Sequence, residues 1–225
     1  AGMMSPPVAK FAPELVKSLA SSSAPGISIQ IPEPTVADAM GQFLKNLTQI
    51  GAIVVILVAM GTVASERERK TAALVLSKPV SRLDFLAAKF AALTLVFGVS
   101  LIVAALVCWV YTRVLFGPFE PAMAVRVNLL AALYLWVLLA VTFLCSALLK
   151  SQIAAGGLAF GLYVGLSLLG MLPGIRDYLP GALIEGAGRL ALGAPADVAG
   201  AVVVSLAICA ICVAASWWVF RRHEL

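Results

Sequence analysis

Charge is what this 225-residue sequence has least of: Asp, Glu, Lys and Arg make up 12% of it, and histidine occurs once, at His223. Soluble domains carry about 25% charged residues, and a single core cannot hide a chain that is 62% hydrophobic with a mean hydropathy of +1.03. These deficits exclude a soluble globular domain, a disordered chain and a secreted disulfide scaffold. The four cysteines, Cys108, Cys145, Cys209 and Cys212, all lie in apolar stretches where pairing is not required. No G-x-x-x-x-G-K-[ST] loop occurs, so the chain does not bind ATP by that route. H-E-x-x-H, G-x-S-x-G and paired intramembrane aspartates are absent too, which removes the common intramembrane hydrolases. His223, beside Arg221 and Arg222, reads as a solvated tail residue. Cys209 and Cys212 have C-x-x-C spacing inside an apolar run, where a redox pair would lack access, so they read as helix packing.

What is present is an all-α polytopic membrane protein. A bilayer core about 30 Å thick needs roughly 20 apolar residues of helix. Five stretches meet that length, at about 47–64, 90–110, 127–149, 153–172 and 199–220. None of their cores holds Asp, Glu, Lys, Arg or His. Ion-coupled carriers place ionisable groups at mid-membrane despite the cost, so a transporter of this composition draws its energy from elsewhere. Trp109, Tyr111, Tyr134, Tyr178, Trp217 and Trp218 are expected near span ends, as interfacial aromatics.

The basic residues orient the chain. The loop after the first span, the turn after the third and the C-terminal tail carry nine Lys and Arg against four Asp and Glu. The remaining segments carry seven of each, so the whole net charge of +5 lies on one side, which reads as cytoplasmic. The excess positive charge is thus a topology signal and calls for no nucleic-acid partner. With the C-terminus inside, residues 1–46 lie outside, yet they contain no signal peptide and do not begin with Met. The expectation is a missing N-terminal span, giving six transmembrane helices, with Ala1–Met4 as its last residues.

Residues 1–46 form an extracytoplasmic segment, and residues 47–225 the transmembrane helical domain. Two short helices fit the outer segment: one at 13–19, and one opening at Thr35, with Asp38 as a capping-box partner. The second carries Val36, Met40, Phe43, Leu44 and Leu47 on one face, and is expected to lie along the membrane surface before bending into the first span. At about 173–198, Pro, Gly and short apolar runs fit either a re-entrant or interfacial helix or a plain loop.

The stretch 65–89 is the most unusual on the cytoplasmic side, although any positive-inside loop can look like this, with Arg67, Arg69 and Lys70 anchoring to lipid headgroups. Charges cluster at Glu66, Arg67, Glu68, Arg69 and Lys70, an apolar segment from Thr71 to Leu76 follows, and Ser77-Lys78-Pro79-Val80-Ser81-Arg82 ends it. Topology alone asks for no apolar ridge between charges, whereas docking into a groove on a soluble partner does. At these residues the sequence resembles the permease subunits of ABC-2 type ABC transporters. That family's pattern is roughly E-R-x-x-G-T, a short apolar run, S-x-P-V-S-R and a later Lys, here Lys89; Lys70 stands where the family has Gly. The likeness extends to Pro13-Glu14-Leu15, Pro34-Thr35, residues 43–49, Tyr111-Thr112 and Glu224-Leu225.

The resemblance implies six spans per permease, a second permease copy or paralogue, and cytoplasmic ATP-binding-cassette ATPase subunits that carry the ATP and Mg. This chain would then have no cofactor and no catalytic residue of its own. It implies a coupling helix in the loop, with Leu74 and Leu76 filling a groove of the ATPase. Glu66, Arg67, Glu68 and Arg82 would form a charged rim or brace the loop, with Thr71 and Pro79 bounding the docking helix. Gly157, Gly161 and Gly165, spaced by four, let helix backbones approach closely and make a candidate dimer face, or else serve packing within the chain. The leading reading is a permease of an exporter in the plasma (inner) membrane. Two alternatives stand: a membrane anchor or assembly subunit that recruits a soluble ATPase without transporting, and an ion-coupled carrier.

Overall fold

The computed structural model describes residues 6–8, 10–11, 35–68 and 81–222, all of them in helices, turns or short connections. Five helices are long and apolar enough to cross a membrane. The first, α1, runs over Val36–Ala59, and a turn over 60–63 leads to the short α2, Ala64–Glu68. Then come α3 (Arg82–Phe116), α4 (Pro121–Leu148) and α5 (Gln152–Leu169). A 3-10 turn at Arg176–Tyr178 and α6 (Gly181–Ala191) precede α7 (Ala199–Arg222). The chain is therefore an all-α polytopic membrane protein.

Helix α1 corrects one expectation. The surface helix and first span are a single uninterrupted helix of 24 residues, with no bend between them. Its start is the capping box read from the sequence: the Asp38 amide donates to Thr35 Oγ1 at 3.4 Å, and the Thr35 amide to Asp38 Oδ2 at 2.8 Å. Met40, Phe43, Leu44 and Leu47 are all buried, and the same stripe continues through Val55, Ile56 and Ala59. Nothing in 36–59 supplies a Pro to break the ladder, so the apolar stripe carries one helix into the bundle. The helix expected at 13–19 lies outside the described residues.

Helix α4 is the axis of the molecule, packed against α1, α5, α6 and α7. A helix apolar all round belongs in an interior, and α4 buries Leu135 and every residue from Val137 to Phe143. Its one mid-helix hydroxyl there, Thr142 Oγ1, donates to the Leu138 carbonyl at 2.8 Å and leaves no orphaned polar atom. Tyr134 also lies mid-helix, beside Tyr163 of α5, and not at a span end as expected. Helix α3 is peripheral. At 35 residues it would be roughly 52 Å long, well beyond the hydrocarbon thickness, and Leu95, Val96, Val99, Ile102, Val103, Leu106 and Val110 along it are exposed. Its first turns, Arg82 to Lys89, extend the helix beyond the expected span start at residue 90.

The ends sort as the charges demanded. At one end meet the C-termini of α1, α4 and α7 and the N-termini of α3 and α5, where Phe85 of α3 stacks on Phe220 of α7 at 5.8 Å. At the other end Lys10 Nζ donates to the Leu115 carbonyl at 3.0 Å, closing over the C-terminus of α3. There the 173–198 segment resolves into α6, which is too short to span and lies against α4 and α1. It buries Leu183, Gly186, Ala187 and Ala191 while Glu185 and Arg189 face out. Gly186 is obligatory in this packing, since a Cβ there would overlap Val198 Cγ1. Glu185 pairs with Arg176, whose Nε donates to Glu185 Oε2 at 3.1 Å, pinning the 3-10 turn to α6.

Candidate functional site

The charged loop opens from α1 through α2, and the polar contacts of this bundle end gather there. Four backbone N–H groups at any helix start lack intrahelical partners. For α2 they begin at Val63 and Ala64, both buried. Ser146 Oγ, in the last turn of α4 and itself fully buried, accepts from both amides at 3.0 Å. The cap of α2 is thus supplied by another helix.

Two residues further on, Glu66 reaches across to α3. Lys89 Nζ lies 2.6 Å from Glu66 Oε1 and also donates to the Thr62 carbonyl at 2.8 Å. Its ammonium sits 5.1 Å from the centre of the Phe85 ring, the ring that stacks on Phe220. The side chains of Lys89 and Glu66 are 21% and 29% exposed, so water screens the pair only partly. Lys89 therefore binds the exit of α1, the start of α2 and, through Phe85, the end of α7.

Glu68 makes the third tie. Its Oε2 accepts from the Gln152 amide, at the first turn of α5, at 3.3 Å. Ser151, the N-cap of α5, makes no side-chain cap of its own. Glu68 supplies that missing acceptor and places a carboxylate at the positive end of α5. Gly61 faces the Gln152 side chain, and Gly156 of α5 faces Met60, where a Cβ would come within 2.5 Å of Sδ. These close approaches press the 60–63 turn against the start of α5.

Of the site residues read from the sequence, Glu66 and Glu68 both lie in α2, where Glu66 meets Lys89 and Glu68 meets the Gln152 amide. Arg67 is helical in α2 and Arg82 opens α3. The side chains of Arg67 and Arg82, and all of Thr71, Leu74, Leu76 and Pro79, lie outside the described residues. Sequence reasoning missed Ser146, Gln152, Phe85 and Phe220. Lys89 was legible only as a motif position, without its partner. Among the described residues no cluster of three or more His, Cys, Asp or Glu is placed to hold a metal.

The glycine stripe points away from all of this. Gly157 and Gly161 are exposed, Gly165 is half-buried, and a Cβ at any of the three would meet nothing within 4 Å. Packing within the chain uses Ala155, Gly156 and Ala159 on the opposite face of α5. The stripe therefore does not serve packing within the described chain.

The family model described as "ABC-2 family transporter protein" matches residues 14–176, which include α1 to α5 and the charged loop. A relative in Bacillus subtilis (strain 168), named as the uncharacterized transmembrane protein YxlG, is 28% identical over 229 residues. That alignment covers 99% of this chain and 87% of the relative. A match over well more than half of the chain, on a bundle of five apolar helices, makes this protein a member of the ABC-2 transporter family.

Proposed function

We propose that the chain is the membrane-spanning permease subunit of an ATP-binding-cassette exporter in the plasma (inner) membrane, with its C-terminus in the cytoplasm. Transport is driven by ATP hydrolysis in a separate cytoplasmic ATPase subunit, which seats on the 65–89 loop and carries the ATP and Mg. The excess of Lys and Arg at the loop end supports the orientation. The single observation that carries the reading is the knot on Lys89. A loop that served only as a topology anchor would need no such tie to its neighbours.

The knot makes the loop a lever. Displacement of α2 acts on α3 through Glu66 and Lys89, on α4 through Ser146, and on α5 through Glu68. Because α4 touches most of the bundle, a push delivered at the loop reaches the whole set of spans. Packed interfaces of this kind shift between discrete arrangements and do not deform continuously. The apolar residues Leu74 and Leu76 supply the contact with the ATPase groove. A second permease copy, or a paralogue, packs on the open face of α5 at Gly157, Gly161 and Gly165, where helix backbones can approach closely.

The test is flux. Proteoliposomes holding the full-length permease and its ATPase subunit should move substrate candidates only with hydrolysable ATP. Binding of the ATPase with no ATP-dependent movement of any candidate would favour a recruiting anchor instead.

A further inference from the structure

Helix α7 is held in two unlike ways along its length. Its buried stripe reads Ala201, Ser205, Cys209, Cys212, Ser216 and Phe220. Every member but the last is small, so α7 approaches α4 closely yet presents no bulky knob to fix its height there. Its buried hydroxyls do not tie it to α4 either. Ser216 Oγ donates to the Cys212 carbonyl of its own helix at 2.7 Å, and Ser205 Oγ has no partner among the described residues. A smooth seam of this kind is one along which packed helices slide.

Phe220 is the exception. It is 2% exposed, the one large side chain fully buried on α7 among the described residues. Its ring stacks on Phe85 of α3, with centroids 5.8 Å apart and planes 17° from parallel, inside the range of ~4.5–7 Å that aromatic pairs favour. Phe85 is held in turn by the Lys89 ammonium, one turn further along α3 and 5.1 Å from the ring centre. Lys89 carries the Glu66 carboxylate and the Thr62 carbonyl. A chain of contacts thus runs from α2 to the last turn of α7 through one cation and two rings.

We infer that Phe220 is a positioning residue for transport: stacked on Phe85, it fixes α7 to the base of α3, so that a push on the charged loop carries α7 along with α3 while its small-residue seam slides on α4. The inference rests on the permease reading above and adds which span the loop drives through α3. The competing route runs through Ser146 and α4, on which α7 lies along most of its length. The two routes differ in what the loss of one ring does to α7.

The test is pulsed electron spin resonance on the full-length protein reconstituted with its ATPase subunit. Nitroxides attached through a keto amino acid spare the native cysteines. They are placed at Lys45 of α1 together with either Val114, at the outer end of α3, or Val203, at the outer end of α7, all three exposed. Labelled protein is diluted into unlabelled copies, so that only distances within one chain are read, and measured without nucleotide and with ATP and vanadate. In the wild type both distances should shift on addition of ATP and vanadate. Phe220→Leu, which keeps an apolar side chain but removes the ring, should lose the Lys45–Val203 shift and keep the Lys45–Val114 shift. Phe220→Tyr, which keeps the ring, should keep both. An equal Val203 shift in the wild type and Phe220→Leu would overturn the proposal, since α4 would then carry α7. Loss of both shifts in Phe220→Leu would overturn it too, by making Phe220 a general structural residue, as would a wild type in which Val114 moves and Val203 does not. No shift at either pair in the wild type would contradict the permease reading itself, and the proposal with it.

Discussion

Glu66 and Lys89 are separated by 23 positions, one in the short helix that opens the charged loop and one in the second turn of α3, and they meet at 2.6 Å. The pair closes the loop at its base, so that whatever lies between the two residues is carried on a fixed frame. Lys89 has further partners in the Thr62 carbonyl and the Phe85 ring, which is why its loss should be felt beyond one ion pair.

Lys89→Met should therefore lower stability by about 1–3 kcal/mol, because it removes the ammonium that joins Glu66, the Thr62 carbonyl and the Phe85 ring. Its effect on ATP-driven transport should exceed its effect on ATPase binding. The swap Glu66→Lys with Lys89→Glu should recover part of the stability and less of the transport, since the exchanged pair cannot restore the contacts with Thr62 and Phe85. Thermal unfolding in detergent together with a double-mutant cycle measures this. A coupling energy near zero would mean that the two side chains act independently.

Ser146→Ala removes the side-chain acceptor that two buried amides, Val63 and Ala64, share. A buried N–H without a partner costs about 1–3 kcal/mol. The variant should unfold at a lower temperature, and its α2 amides should exchange hydrogen faster than those of the wild type. Unchanged exchange at Val63 and Ala64 would show that other groups cap α2.

Neighbouring glycines of α5 should behave oppositely. Gly156→Leu drives a side chain into Met60 and should cost about 1–3 kcal/mol of stability. A Cβ at Gly161 meets no atom of the described residues within 4 Å, so in Gly161→Leu folding should hold while crosslinked dimer falls. Equal dimer content in the wild type and Gly161→Leu would remove the stripe from the subunit interface.

That contrast also marks where reading the sequence stops. The spans, their number and the sorting of their ends were legible, because length, hydropathy and the placement of Lys and Arg depend on no neighbour. The Thr35–Asp38 capping box was legible for the same reason, since its two groups lie within one turn. Gly156 and Gly157 are one position apart, yet a helix turns about 100° per residue, and only the position of Met60 decides which of them is filled. Ser146 and Glu68 act as caps for helices that begin 82 or more positions away, so no local motif announces them. The bend expected before the first span failed because an interfacial stripe and a core stripe have the same period, and α4 was there to receive it.

The most direct measurement of the account is co-purification of the full-length permease with its ATPase subunit, comparing the wild type with Leu74→Asp. A carboxylate placed in an apolar contact costs a few kcal/mol in desolvation, so the ATPase should stay with the wild type and be lost from the variant while both insert in the membrane equally. Equal retention of the ATPase by both would contradict the docking role of the loop. No ATPase on either folded protein would contradict the permease reading itself.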